Sequence, residues 1–330
     1  MTAPARSAAP AVAAPRIEHL PITLFSAVMG LGGVSLAWRR AATVWDLPQW
    51  PALTFLAAAA AAFAVVGVLY VLKWVRYPEA ARAELRHPVR MAFAPTITIG
   101  LLVLATAGQD VAPALARGFW WLGAVGHLVA TAVVMSAWFD RADILGSHVT
   151  PAWLIPVVGN VVTPLAAPEL GSVELAWFAF GVGVIFWLGL LPLLLQRVLV
   201  HDTELPEKLL PTIAIFIAPP SVALLSWVAL GGTVGDPVTR VLYAAAMMFV
   251  VLLAAQVGRL RRIPFALPYW AYTFPLAAAA AAAIAMTALP GMVYDVVAIG
   301  LLALTTVLVV VVSALTLRAA ARGQICVPEG

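Results

Sequence analysis

The sequence has little charge. Only 10% of its 330 residues are Asp, Glu, Lys or Arg, against about 25% in soluble globular chains, while 63% are hydrophobic. A water-facing surface cannot be built from so few ionic groups, which excludes a cytosolic enzyme of this length. Lysine is nearly missing, with Lys73 and Lys208 alone. The net charge of +4 is too small and too scattered for a nucleic-acid footprint, so no nucleic-acid partner is expected. Cysteine occurs once, as Cys326, which excludes an intrachain disulfide and leaves no thiolate cluster for a metal. The histidines (His19, His87, His127, His148 and His201) stand singly, without the spacing of a ligand pair. Neither a metal centre nor a cofactor is expected. Sustained period-2 alternation is also missing, which argues against an outer-membrane barrel.

What the chain does have is long apolar runs. A membrane-spanning helix needs about 20 mostly apolar residues, and ten such stretches are found near 20–38, 51–72, 90–109, 114–138, 151–168, 173–196, 209–230, 237–258, 266–289 and 292–317. Breaks such as Trp50-Pro51, Gly231-Gly232-Thr233 and Pro290-Gly291 separate them. Residues 1–18, Ala/Pro-rich and without a signal-peptide core, read as a disordered cytoplasmic tail. Residues 19–318 form one transmembrane domain, and 319–330 a cytoplasmic C-terminal tail. With the N-terminus inside, ten spans place all Lys and Arg except Arg39, Arg40, Arg117 and Arg240 on the cytoplasmic side, as the positive-inside rule requires. The protein is expected in the plasma (inner) membrane with both termini cytoplasmic, the bilayer being its solvent.

The midpoints of the odd-numbered stretches recur roughly every 60 residues, about the length of a two-span hairpin. Four of these stretches carry proline near the middle: Pro95, Pro156, Pro219-Pro220 and Pro275. The first carries Gly30, Gly32 and Gly33 instead. Proline removes a backbone donor and kinks a helix. Irregular backbone at membrane depth is tolerated where protein or a water-filled cavity surrounds it. The expected fold is all-α: five helical hairpins around a central pore, kinked odd helices inside and even helices outside.

Coupled carriers and proton pumps place ionisable side chains within their spans. Here the middles of the odd stretches hold none. Ser26, Thr96, Thr98, Thr163, Ser221 and Thr273 would supply the polar lining, with no carboxylate ring to select cations. His127, alone in the fourth stretch, reads as a packing residue bonded to a neighbour. The Gly30-x-Gly32-Gly33 and Gly181-x-Gly183 runs follow no strand, so they read as helix-packing glycines rather than dinucleotide fingerprints. No catalytic set is present, and an enzyme is not expected. Passive conduction of an anion fits best; a secondary carrier or exporter that binds through helix ends is the alternative.

Several segments resemble one family. Pro268-Tyr269-Trp270-Ala271-Tyr272-Thr273-Phe274-Pro275 is similar to the ninth-helix motif of the tellurite-resistance/C4-dicarboxylate transporter family, which includes bacterial TehA and the plant guard-cell slow anion channels. His87-Pro88-Val89-Arg90-Met91-Ala92-Phe93-Ala94-Pro95, Ala218-Pro219 and Met29-Gly30-Leu31-Gly32-Gly33 fit the same pattern. The resemblance covers essentially the whole chain. It implies a homotrimer with one pore per protomer, conducting small inorganic or organic anions, chloride and nitrate foremost. The alternative substrates it implies are malate, sulfite or a tellurite-related anion. Phe274 matches the pore-occluding phenylalanine; a shift of one turn would substitute Phe265, Tyr269 or Trp270. Gly30, Gly33, Pro95, Pro156, Pro219, Thr273 and Pro275 are the expected pore-lining positions. The long phosphorylatable tails of the plant channels have no counterpart in the short N-terminal stretch, whose one serine is Ser7.

Overall fold

The computed structural model describes residues 17–200 and 205–327. Nearly all of the expected N-terminal tail lies outside the described residues, as does His201. Among the described residues the chain is helical with no strand. Ten stretches are long and apolar enough to cross a membrane, numbered here as spans 1 to 10: Ile22–Trp45, Trp50–Arg76, Arg90–Gly108, Pro113–Asp140, Pro151–Leu170, Val173–Leu199, Glu207–Ala229, Pro237–Ala255, Leu267–Met286 and Met292–Ala321. Three ends run four or more residues past expectation. Span 1 continues past Arg39 and Arg40 to Trp45, span 2 reaches Arg76, and span 10 takes in residues 319–321. Residues Ile17–His19 already form a 3₁₀ turn.

Burial sorts the spans by parity. Across the odd spans 67–89% of the central residues are buried within the chain, against 11–33% across the even ones. Each odd span packs on the next odd span, and span 9 packs back on span 1, which closes an inner ring. Every even span packs on the odd span before it. The result is five hairpins around one axis. The outer faces carry exposed aliphatics such as Val65, Val68, Val125, Val129, Val307 and Val310, which suit lipid.

The inner spans are more than kinked. Spans 1, 3, 7 and 9 begin as 3₁₀ helix and change to α-helix at Ser26, Thr96, Ala218 and Thr273. Span 5 alternates between the two forms along its length. The prolines mark the changes. Pro95 directly precedes one α segment, Pro219 and Pro220 sit in the first turn of the next, and Pro275 sits in the first turn of the last. Proline lacks a donor, and it sits where the backbone changes from 3₁₀ to α form and its hydrogen-bond pattern is already being reset. Each of these prolines thus marks a change of helix type within its span. The even spans are unbroken α-helix in their membrane portions, with Pro192 the one interior proline.

Lipid tails compete well for apolar surface, so helices in a membrane associate through close packing of small residues. Span 9 supplies alanines 277–283, all buried. The glycines of span 1 allow the approach. A methyl at Gly30 would lie 2.1 Å from Thr273 Oγ1, and one at Gly33 3.1 Å from both Ala277 Cβ and Phe274 Cδ2.

The loops joining even spans to the following odd spans define a first face; those joining odd spans to even spans define a second. At the first face the short helix Pro78–Arg86 folds Glu84 beneath the bundle. Lys73 Nζ lies 2.7 Å from Glu84 Oε2 and donates to Leu20 O at 2.7 Å. Tyr70 OH and the Ile22 N–H also donate to the Glu84 carboxylate, at 3.1 and 2.8 Å. Both charged side chains are only 4% exposed. Glu84, read from sequence as a loop acid, is a buried tie between the chain's entry into span 1 and the end of span 2. At the second face Asp236 caps span 8. The Thr239 N–H and Trp227 Nε1 donate to it at 2.8 and 2.7 Å, which holds its carboxyl down at about 2.

Candidate ion pathway

Two hollows lie inside the ring of odd spans. The first is a cavity of about 60 Å³, room for a few water molecules. All five inner spans wall it: Ser26 and Met29; Phe93 and Ile99; Leu154, Val158 and Val162; Ile215, Pro219 and Val222; Trp270, Phe274 and Pro275. No ionisable residue touches it. The second is a basin of about 330 Å³ nearer the second face. The same five elements contribute, through Leu36, Arg39 and Arg40; Thr106 and Gln109; Leu165; Leu225; and Ala281. Along every inner span the cavity residues come first and the basin residues follow, so the hollows are stacked on one axis.

A partition separates them. From Val162 to Leu165 and from Val222 to Leu225 is three residues, from Pro275 to Ala281 six, and from Met29 to Leu36 and Ile99 to Thr106 seven, so at ~1.5 Å per helical residue the gap is about 5–11 Å. Span 1 shows what fills it. Met29, Gly33, Leu36 and Arg40 follow helical spacing along one face. Met29 borders the cavity and Leu36 the basin, which places Gly33 at the partition. The ring of Phe274 rests on Gly33. Its own position, second residue of the α segment of span 9, puts it where the 3₁₀ backbone ends.

The residues predicted from sequence divide into two groups. Phe274, Pro219 and Pro275 stand on the cavity wall. Gly30, Gly33, Pro95, Pro156 and Thr273 do not border either hollow. Gly30 and Gly33 receive span 9 instead, and Thr273 is fully buried. Of the expected hydroxyl lining only Ser26 reaches the cavity. Thr96, Thr98, Ser221 and Thr273 donate to carbonyls of their own spans, Phe93 O, Pro95 O, Ile217 O and Trp270 O, at 2.6–2.8 Å. A hydroxyl three or four residues from a carbonyl freed by proline or 3₁₀ geometry is captured by it before it can line a cavity. The wall is therefore more apolar than composition suggested.

The neighbours of Phe274 are otherwise engaged. Tyr269 donates to Ile263 O at 2.7 Å and packs edge-on against Phe265 and Tyr272. Trp270 shares the cavity wall but its indole N–H is held by Thr316 Oγ1 at 3.0 Å. His127 is fully buried behind the wall, its Nδ1 2.8 Å from Thr98 Oγ1 and its ring against Gly159. Among the described residues no three His, Cys, Asp or Glu side chains converge as a metal site.

Arg39 and Arg40 were placed by sequence in a loop outside the membrane; they belong to span 1 and reach the basin. Arg39 donates to the carbonyls of Thr106 and Ala107, both at 3.2 Å, and pairs with Asp110. These partners lie 67–71 residues away in sequence. The one available sequence signal was register: residue 40 falls on the same helical face as 29, 33 and 36.

Ten spans, five of them in an inner ring around apolar-walled hollows, match the architecture the sequence motifs suggested. A family profile described as voltage-dependent anion channel matches residues 19–317. The chain belongs to this anion-channel family. It is 30% identical over 278 residues to the S-type anion channel SLAH3 of Arabidopsis thaliana, covering 82% of this chain and 43% of that one. It is 27% identical over 320 residues to the guard cell S-type anion channel SLAC1 of the same plant, covering 92% and 56%. A tellurite resistance protein TehA homolog of Haemophilus influenzae is 25% identical over 297 residues, covering 87% and 90%. The chain thus spans about half the length of these plant relatives and most of the bacterial one. The family comprises anion channels and transporters, not enzymes.

Proposed function

We propose that the chain conducts small monovalent anions such as chloride and nitrate passively along the axis of the inner ring, with Phe274 as the gate. The observation that carries this reading is the pair of stacked hollows walled by all five inner spans, with no carboxylate bordering either. A cation pathway needs acidic or carbonyl ligands, and among the described residues the only charges bordering the hollows are Arg39 and Arg40. Carriage of a larger dicarboxylate would need a polar midplane site, and the cavity wall offers one hydroxyl, Ser26. The loops of the second face, 46–49, 109–112, 171–172, 230–236 and 287–291, contain no Lys or Arg. The positive-inside rule therefore makes the first face cytoplasmic, with both ends of the described chain on that side.

Reversal potentials test the reading. With a tenfold chloride gradient across a bilayer the current should reverse near the anion equilibrium value, about 59 mV in magnitude. Reversal at the cation value would overturn it.

Homotrimeric assembly through the even spans belongs to the same proposal. An apolar groove between spans 2, 3 and 4, bordered by Leu53, Leu56, Ala60, Leu104, Leu115 and Phe119, suits a neighbouring protomer better than disordered acyl chains, because protein fills such a groove with fixed contacts. Mass measurement in mild detergent should find three chains of 34.7 kDa each; monomers alone would refute the trimer.

A further inference from the structure

The basin at the second face contains a cation with nothing opposite it. Arg39 is committed: its donors go to Thr106 O, Ala107 O and the Asp110 carboxylate. Arg40, the next residue, is half-buried and makes no hydrogen bond or ion pair with any described residue. Five N–H donors therefore border a 330 Å³ basin with no partner. Among the described residues the rest of the lining brings no negative charge, and Asp110, next in sequence to Gln109, is paired with Arg39. Thr43 and Thr106 spend their hydroxyl protons on Arg39 O and Leu102 O, at 3.1 and 2.8 Å.

A partly buried cation without a counter-ion is costly to maintain, and an anion from solution removes that cost.

We propose that Arg40 forms an anion-capture site for a small inorganic anion, of the chloride or nitrate class, directly before the partition. The site deepens the axial-pathway reading and rests on it for its role, since Arg40 lies on the span 1 face that follows the axis. Captured there, an anion sheds part of its hydration shell against N–H donors before it meets the apolar ring of Phe274. The site also supplies selectivity that the uncharged cavity cannot, by raising the local anion concentration over that of cations.

Two measurements on the full chain test this. The first is chloride NMR line broadening by the purified protein in detergent, which reports bound chloride whether or not the pathway conducts. Arg40→Met should remove most of the protein-dependent broadening, and Arg40→Lys should keep much of it. Broadening unchanged in Arg40→Met would overturn the site. The second is current through the Phe274→Ala channel with chloride lowered on the second-face side. Adding Arg40→Met should cut that current about three- to tenfold, with recovery at high chloride, as for loss of a concentrating charge. Equal currents at all chloride concentrations would overturn the capture role while leaving the pathway standing. Loss of broadening in Arg40→Met without current in any variant would support the binding site and refute the pathway.

Discussion

Phe274→Ala is expected to raise resting anion current at least about tenfold, since a barrier lowered by ~1.4 kcal/mol already gives that factor. The ring stands on the cavity wall and rests on Gly33 at the partition between cavity and basin. An apolar plug in a narrow path stops ions by excluding the water they travel with. Truncation to a methyl joins the two hollows without touching the helix starts that hold the inner ring. The adjacent Pro275 sits where the backbone changes from 3₁₀ to α form, and opening is expected from rotation of the ring about its own side-chain bonds. If the ring served packing alone, the substitution would instead cost ~3–5 kcal/mol, and yield would fall with no gain in current. Current recording beside an expression control separates the two. Unchanged current in well-expressed protein would remove Phe274 from the role.

Lys73→Met is expected to destabilise the protein by ~3–5 kcal/mol, the usual consequence of leaving one member of a buried ion pair without the other. Glu84 would keep the Ile22 N–H and Tyr70 OH, but its charge would stay buried with no cation. The damage should spread to the entrance of span 1, because Lys73 also holds Leu20 O and the segment Ile22–Phe25 leads directly into Ser26 on the cavity wall. Thermal unfolding in detergent, followed by tryptophan fluorescence, should show a clear fall in midpoint. Lys73→Met combined with Glu84→Gln should recover much of the loss, since glutamine retains an acceptor for Ile22 and carries no charge. A double variant as unstable as the sum of the two singles would show that the pair is not coupled.

Much of the architecture was legible because the bilayer imposes simple rules on sequence. Runs of about 20 apolar residues are needed to cross it, and the ten runs here are separated by recognisable breaks. Proline in alternate runs marked the inner spans, since only backbone shielded by protein tolerates missing donors at that depth. The ninth-span motif pointed to Phe274 before its contact with Gly33 was known. Less legible was the wall of the pathway. Thr96, Thr98, Ser221 and Thr273 looked available as polar lining, yet each hydroxyl is captured by a carbonyl of its own span. Gly30 and Gly33, expected on the pathway from the resemblance, instead receive span 9, as helix-packing glycines do.

By itself the sequence determined a ten-span helical membrane protein, the division into inner and outer spans, and the absence of acids along the axis. Those properties depend on composition and period, which are local. Only the tertiary structure decided where the charges act. Two consecutive arginines read as the end of a span, but span 1 continues because Thr106, Ala107 and Asp110, far away in the chain, meet Arg39 at the second face. That leaves Arg40 alone at the basin. Glu84 read as a loop acid until the turn at Tyr77 and the helix after it folded it against Lys73. Arg39 and Glu84 are held through partners that chain folding brings to them, and no local pattern records which partners those are.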